Sequence, residues 1–346
     1  MIGMCLQVHK SRPMPPPLAH VSIIGDGAMG TVCALLLARR GTSVTLWGAF
    51  PEHITTLQKD RENKRFLPGH PLPESIKLVS EPSLAFDDPR LIVSAVPCQY
   101  IRTVWQRFTE CVPRAVPIVS VAKGIEIGTL LRPTAIIADC IGEVPLVCLS
   151  GPSIGPEVAM MKPTSVVAAS EDEALAKLVQ SGFSTSYFRV YTSRDLLGVE
   201  LAGAVKNVIA LAAGIGDGIE AGDNAKAALV TRGLVEITRL GVALGASPDT
   251  YRGLAGVGDL ITTCISKIGR NRSAGERIGR GATADEVIAS TPSVIEGIPT
   301  TRSVLELARN HNVEMPIVSG VASVLFEGRQ PADAINELMT RRLHGE

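Results

Sequence analysis

The chain has no excess charge of either sign: 34 lysines and arginines stand against 34 aspartates and glutamates. Without a basic surplus there is no whole-protein field to attract nucleic acid or an anionic membrane, so any anion must be gripped by local groups. The seven cysteines form no CxxC pair and show no Cys/His spacing that suggests zinc. Their odd number and scatter argue against a disulfide framework and fit a reducing cytoplasm. Residues 1–20 lack a basic start, an apolar run and a small-residue cleavage site, and they contain Pro13 and the run Pro15-Pro16-Pro17. The expectation there is a disordered tail and no secretory signal. The stretch from Leu196 to Ile219 approaches membrane-spanning length, but Glu200, Lys206, Asn207 and Asp217 interrupt it and argue against insertion.

What is present is an ordinary globular composition, 45% hydrophobic and 20% charged, on a chain of 346 residues. That length accommodates two domains, each with its own core. The first begins with a β-branched run, Val21 to Ile24, followed by Gly25-Asp26-Gly27-Ala28-Met29-Gly30, a helical segment ending at Gly41, and a second strand, Ser43 to Trp47. Strand, GxGxxG, helix, strand is the context in which this glycine pattern holds a dinucleotide. Gly25 allows the tight turn, Gly27 lets a pyrophosphate approach the backbone, Gly30 lets the helix pack closely, and the helix start offers free amides to the phosphates. The end of the second strand, Trp47-Gly48-Ala49-Phe50, carries neither the acidic residue usual for NAD nor an arginine for NADP, so the two cofactors stay open.

Further strand-like runs follow at Ile76 to Val79, Leu91 to Val96, Val116 to Ala122, Pro145 to Leu149, Ser165 to Ser170 and Tyr187 to Tyr191. With helices or loops between most of them, they describe an α/β wound sheet of the Rossmann type. Ligands of such sheets sit beyond the carboxyl ends of the strands, which is where Lys123 and the Ser150-Gly151-Pro152-Ser153 loop fall. Lys123 also reads as an ordinary solvated lysine. After Tyr191 the periodicity is helical through Arg342, giving an all-α second domain, with the boundary near Thr192 or Ser193. The division is a tail (1–20), a dinucleotide-binding domain (21–192) and a helical substrate domain (193–346).

The first helix of that second domain carries the most informative side chain. From Leu201 to Ala213 the only polar residues are Lys206 and Asn207. A lysine surrounded by apolar residues has its charged form disfavoured and becomes an acid or base useful near neutrality; the alternative is a stem that snorkels to water. Asp259, in Gly256-Val257-Gly258-Asp259, reads as an accessible carboxylate on a glycine-flanked turn or as a helix cap. Gly269-Arg270-Asn271-Arg272 precedes a helical run and reads as a phosphate grip or an exposed basic turn.

Taken together, GDGAMG, NKRFLPG (63–69), SVAKG (120–124), SGPS (150–153), GAVKNVIALAAGIGDG (203–218), NAKAALVTRGL (224–234), GVGDLITTC (256–264), GRNR (269–272) and VIEG (294–297) resemble the soluble bacterial-type NAD(P)-dependent glycerol-3-phosphate dehydrogenase family from about Val21 onward. The resemblance implies reduction of dihydroxyacetone phosphate by NAD(P)H to sn-glycerol 3-phosphate, for phospholipid synthesis. It makes Lys206 the proton donor and acceptor. Lys123, Gly151, Ser153, Lys206, Asp259, Gly269, Arg270 and Asn271 fall at substrate positions. Gly25, Gly27, Ala28, Met29, Gly30, Lys123, Gly155, Arg270, Val294 and Glu296 fall at cofactor positions, and no residue falls at a metal position. A homodimer is implied as well. The chain departs from the family in three places: Ala49 replaces a common basic residue, Gly155 a usual alanine, and Gly269 a common hydroxyl residue whose phosphate contact would fall to its backbone amide. Two other readings stand beside it: a hydroxy-acid or sugar-acid dehydrogenase of the same two-domain layout, and a non-catalytic NAD(P)-sensing protein.

Overall fold

A computed structural model describes residues 15–340. Its first domain is an eight-stranded sheet in the order β3-β2-β1-β4-β5-β6-β7-β8. The strands are β1 (His20–Ile24), β2 (Ser43–Trp47), β3 (Ile76–Val79), β4 (Leu91–Ser94), β5 (Ile118–Ser120), β6 (Leu146–Ser150), β7 (Thr164–Ala169) and β8 (Phe188–Ser193). All neighbours pair parallel, as in Val21 opposite both Val44 and Leu91, except β6 with β7, where Leu149 faces Ala168 antiparallel. Helices cover both faces: α1 (Ala28–Arg39), α2 (Pro51–Asp60), α3 (Ile101–Trp105), α4 (Pro133–Ile141), α5 (Gly155–Ala159) and α6 (Glu173–Phe183). With both faces covered, the inner strands are apolar along their whole length and do not alternate.

All eight strand expectations have a counterpart. Two are shorter than the apolar runs that suggested them, because β4 stops at Ser94 and β5 at Ser120. Beyond those points the chain leaves the ladder and forms the loops that carry Cys98 and Lys123. Most of the tail expected to be disordered, residues 1–14, lies outside the described residues. Of the rest, the Pro15 carbonyl accepts from Arg40 and Leu18 packs on the sheet's core.

After Ser193 every regular element among the described residues is helical. These are α7 (Leu196–Gly218), α8 (Asp223–Ala243), α9 (Pro248–Arg252), α10 (Asp259–Ile265), α11 (Arg270–Gly279), α12 (Ala284–Ala289), α13 (Gly297–Asn310), α14 (Pro316–Phe326) and α15 (Pro331–Thr340). The axis of this domain is α7. It is long and apolar enough to cross a membrane, but 94% of its most apolar window is buried inside the protein, as befits a core helix. Its start is fixed by Asp195, whose carboxylate accepts from the Gly198 amide at 2.9 Å and from Ser247 and Thr250.

Its second half lies against α11 with almost no side chain between the two backbones. A Cβ on Gly214 would lie 2.0 Å from the Arg272 carbonyl oxygen, and one on Gly275 would lie 2.1 Å from that of Leu211. This close crossing sets the start of α11 beside the half of α7 that carries Lys206. Gly275→Ala is expected to destabilise the protein by at least about 1–3 kcal/mol, the range for overpacking. Chemical denaturation measures it, and wild-type stability would show that the two helices are free to separate.

Candidate active site

The carboxyl ends of the parallel strands and the middle of α7 face one another. Lys206, near the centre of α7, is 5% exposed, and Asp259, at the start of α10, is 2% exposed. Lys206 Nζ lies 2.8 Å from Asp259 Oδ1, and Lys123 Nζ, from the loop after β5, lies 2.5 Å from Oδ2. One carboxylate thus holds two ammonium groups, one from each domain. Lys123 Nζ also donates to the Gly151 carbonyl at 3.0 Å, which accepts in addition from Ser153 Oγ at 3.0 Å. Gly151 has φ +138°, a backbone conformation open to glycine that turns this carbonyl toward the lysine.

Asp259 corrects the expectation of an accessible carboxylate. The glycines before it do not expose it; they form one π-turn, Leu254–Gly258, that presses the chain inward. A Cβ on Gly256 would lie 2.2 Å from the Tyr251 carbonyl oxygen. Asp259 makes no capping bond to its own helix, since its side chain is taken up by the lysines. Thr263, one turn later, accepts from Lys206 Nζ and donates to the Asp259 carbonyl at 2.7 Å. Thr263 was not singled out in the sequence, because a threonine at i+4 inside LITTC reads as helix surface. Gly203, one turn before Lys206, also escaped notice: a Cβ there would sit 2.9 Å from Ser150 Oγ and 3.4 Å from Lys123 Cγ. Its lack of a side chain lets Ser150 and Lys123 of the sheet domain pack directly against α7.

Burial pushes the Lys206 ammonium down to about 8; Asp259 opposes that shift and the charge on Lys123 adds to it. The lysine is therefore buried and tuned, not snorkelled.

Arg270 and Asn271 open α11, and Arg270 is exposed. Asn271 is buried, and its carboxamide is spent within the protein. Its Nδ2 donates to Asn207 Oδ1 at 2.9 Å and its Oδ1 accepts from the Gly297 amide at 2.9 Å, while Asn207 Nδ2 reaches the Lys123 carbonyl at 3.5 Å. What Asn271 offers an anion is its backbone N–H, one of the free amides of the first helical turn. The Gly269 amide, expected to be free for a phosphate, donates to the Ser266 carbonyl at 3.1 Å because the chain turns tightly before α11.

At the other end of the cleft the dinucleotide pattern has the geometry it requires. Gly25 has φ +112° and its amide donates to the Trp47 carbonyl at 2.9 Å. A Cβ on Gly30 would strike the Gly25 carbonyl at 1.8 Å, whereas one on Gly27 would meet nothing within 4 Å. Ala28 and Met29 form the first turn of α1, which no side chain caps, so its amides stay available. Gly155 opens α5 with Val32 at 3.6 Å from its missing Cβ, space that an alanine would also fit. Val294 is half-buried just before α13. Glu296 reaches across to the first domain, its Oε1 accepting from the Cys98 amide at 2.8 Å. Its Oε2 is buried without a partner, as suits a site awaiting a donor. Burial pushes the Glu296 carboxyl up to about 7, against the Cys98 amide and Arg270, which both favour the charged form. These residues fit a bound nicotinamide dinucleotide.

Two family models cover nearly all of the chain. The N-terminal domain model of NAD-dependent glycerol-3-phosphate dehydrogenase matches residues 20–176, and the C-terminal domain model matches residues 195–336. The chain belongs to the NAD-dependent glycerol-3-phosphate dehydrogenase family. It is 45% identical over 329 residues to the glycerol-3-phosphate dehydrogenase [NAD(P)+] of Geobacter sp. strain M21, covering 94% of this chain and 98% of that one. It is 46% identical over 327 residues to the Geobacillus kaustophilus protein of the same name, covering 94% and 95%. The crystal structure of glycerol-3-phosphate dehydrogenase from Coxiella burnetii superposes with a TM-score of 0.90 at 37% identity, over 94% of this chain and all of that one. Membership makes the chain an oxidoreductase that uses a nicotinamide dinucleotide.

The two ammonium groups around Asp259 give a test by titration. In the ligand-free protein Lys206 should titrate near 8, far below the ~10.4 of a free lysine. Removing the like charge with Lys123→Met should move the midpoint up, and removing the counter-charge with Asp259→Asn should move it down. Nitrogen-detected NMR of the side chain reads all three, and an unshifted Lys206 would mean that its amine is in water.

Proposed function

We propose that this chain interconverts dihydroxyacetone phosphate and sn-glycerol 3-phosphate, with Lys206 as proton donor and acceptor. The observation that carries the reading is the buried Lys206–Asp259–Lys123 constellation, at the meeting of the two domains and beyond the strand ends. Gly25, Gly27, Ala28, Met29 and Gly30 would hold the dinucleotide's phosphates, with Lys123, Gly155, Arg270, Val294 and Glu296 along the rest of its length. When bound, the dinucleotide supplies or takes the hydride.

The protein's own share is charge and orientation. Reduction of a ketone builds negative charge on its oxygen, which the Lys206 ammonium stabilises and then protonates. Asp259 and Thr263 fix that ammonium, so little reorganisation is needed as the charge develops. Lys123 presents a second positive group from the opposite domain, while Gly151 and Ser153 shape the loop beside it. The guanidinium of Arg270 and the amides that open α11 are suited to the phosphate. In the reverse direction the neutral Lys206 amine takes the hydroxyl proton. Supply of the glycerophospholipid backbone, a cytoplasmic location without membrane insertion, and a homodimer belong to the same reading.

The donor role has a pH signature. Reduction needs the ammonium and oxidation the amine, so reduction should decline and oxidation rise as pH passes about 8. Lys206→Ala should lower kcat by about 10²–10⁴-fold, the range for loss of a general acid, with dinucleotide affinity nearly unchanged. Arg270→Ala should raise KM for the phosphorylated ketone far more than for an unphosphorylated analogue. Cofactor consumption with dihydroxyacetone phosphate beside a panel of keto acids measures these effects. Equal turnover of a keto acid, or near-normal kcat in Lys206→Ala, would remove the assignment.

A further inference from the structure

The adenosine end of the cleft lacks a group that dinucleotide folds usually supply. A carboxylate at the end of the second strand normally accepts from the ribose hydroxyls, or a basic residue nearby meets a 2′-phosphate. Here β2 ends at Trp47, and Gly48, Ala49 and Phe50 provide neither.

A carboxylate nevertheless stands at that place, and it comes from another element. Asp26 is the residue between the first two glycines of GDGAMG, and its side chain turns out of the phosphate loop toward the end of β2. A Cβ on Gly48 would lie 2.4 Å from Asp26 Oδ2 and 2.6 Å from its Cγ. The carboxyl group therefore fills the volume in which a side chain at residue 48 would begin. Neighbours hold it there: Asp26 Oδ2 lies 2.8 Å from His53 Nδ1 on α2, and the Asp26 carbonyl accepts from Asn63 Nδ2 at 2.8 Å. The His53 ring is in turn set edge-on to Phe66, with centroids 5.6 Å apart. Among the described residues Oδ1 accepts no hydrogen bond. The Asp26 and His53 side chains keep 13% and 14% of their exposure, so the carboxylate is braced but not sealed.

We propose that Asp26 is the ribose-reading residue of this chain, replacing from the β1–α1 loop the carboxylate that β2 lacks, and that it selects NAD(H) over NADP(H). A carboxylate is an acceptor only and can receive both ribose hydroxyls in charge-assisted bonds. A 2′-phosphate would bring its own negative charge against it, and Ala49 offers no cation to offset that repulsion. His53, the basic group facing Asp26, is already engaged by it. Arg65 lies over the Phe66 ring, 5.0 Å from its centre. The inference rests on the dinucleotide reading of the cleft and is independent of which ketone is reduced.

The test is fluorescence titration of the full chain with NADH and with NADPH, in the absence of any ketone. The wild-type protein should bind NADH at least about tenfold more tightly, since a bond to a charged group is worth about 1.5–3 kcal/mol and 1.4 kcal/mol is tenfold. Asp26→Asn and Asp26→Ala should weaken NADH and spare or strengthen NADPH, reducing the preference by about the same factor. His53→Ala, which frees the carboxylate without removing it, should reduce the preference less; with the wild-type ratio it decides the matter if the Asp26 variants do not fold. A wild-type preference for NADPH, or equal weakening of both cofactors in the Asp26 variants, would overturn the proposal. Failure of the wild type to bind either cofactor would instead overturn the dinucleotide reading on which it rests.

Discussion

Asp259 shares its two carboxylate oxygens between Lys206 of the helical domain and Lys123 of the sheet domain, and the rest of the site is arranged around that pairing. A buried carboxylate with two ammonium partners is satisfied electrostatically, whereas Asp259 or Lys206 left alone would be an uncompensated buried charge, a loss of about 3–5 kcal/mol. The arrangement therefore does two things together. It fixes the geometry of the Lys206 amine, and it makes the apposition of the two domains part of the same energetic unit. The low value of Lys206 follows from this: burial outweighs the attraction of a carboxylate that Lys123 also occupies.

Other buried polar groups reach across the same boundary. Glu200, two turns before Lys206 on α7, accepts from the Thr134 amide at 2.9 Å and its hydroxyl at 2.7 Å, and pairs with Arg132, so that α7 caps a helix of the other domain. Glu296 takes the Cys98 amide, and Asn207 extends toward the Lys123 carbonyl. Each of these residues sits on the helical domain and grips a loop or helix start of the sheet domain. Such groups bury poorly unless every partner is in place, which favours one relative position of the domains. Precise placement of Lys206, the proposed general acid, depends on that rigidity more than on the apolar core, which would tolerate small shifts.

Much of this was legible along the chain. The eight strands, the dinucleotide turn and the apolar helix with one lysine are local patterns, set by period, glycine spacing and β-branched runs, so their positions agree with the structure to within a few residues. The readings that needed amending depend on distant partners. Asp259 looked accessible because glycines flank it, yet those glycines let the chain fold inward onto Tyr251. Asn271 fell at a substrate position by resemblance, and the structure adds that Asn207 and Gly297 claim its carboxamide, which leaves its backbone N–H for an anion. Asp26 carried no signal as the variable residue of a glycine motif, because the missing side chain at Gly48, twenty-two positions later, is what gives its carboxylate a place.

The sequence by itself determined the order of elements and the division into a wound sheet and a helical domain, since hydrophobic period and a glycine turn after a strand act through short-range geometry. The chemistry was legible there through the family resemblance. Tertiary structure decided which carboxylate the lysine meets, how far its proton affinity falls, and which groups line each end of the cleft. Those quantities depend on distances between residues far apart in the chain, and on how completely water is excluded between them, neither of which is written in the spacing of residue types.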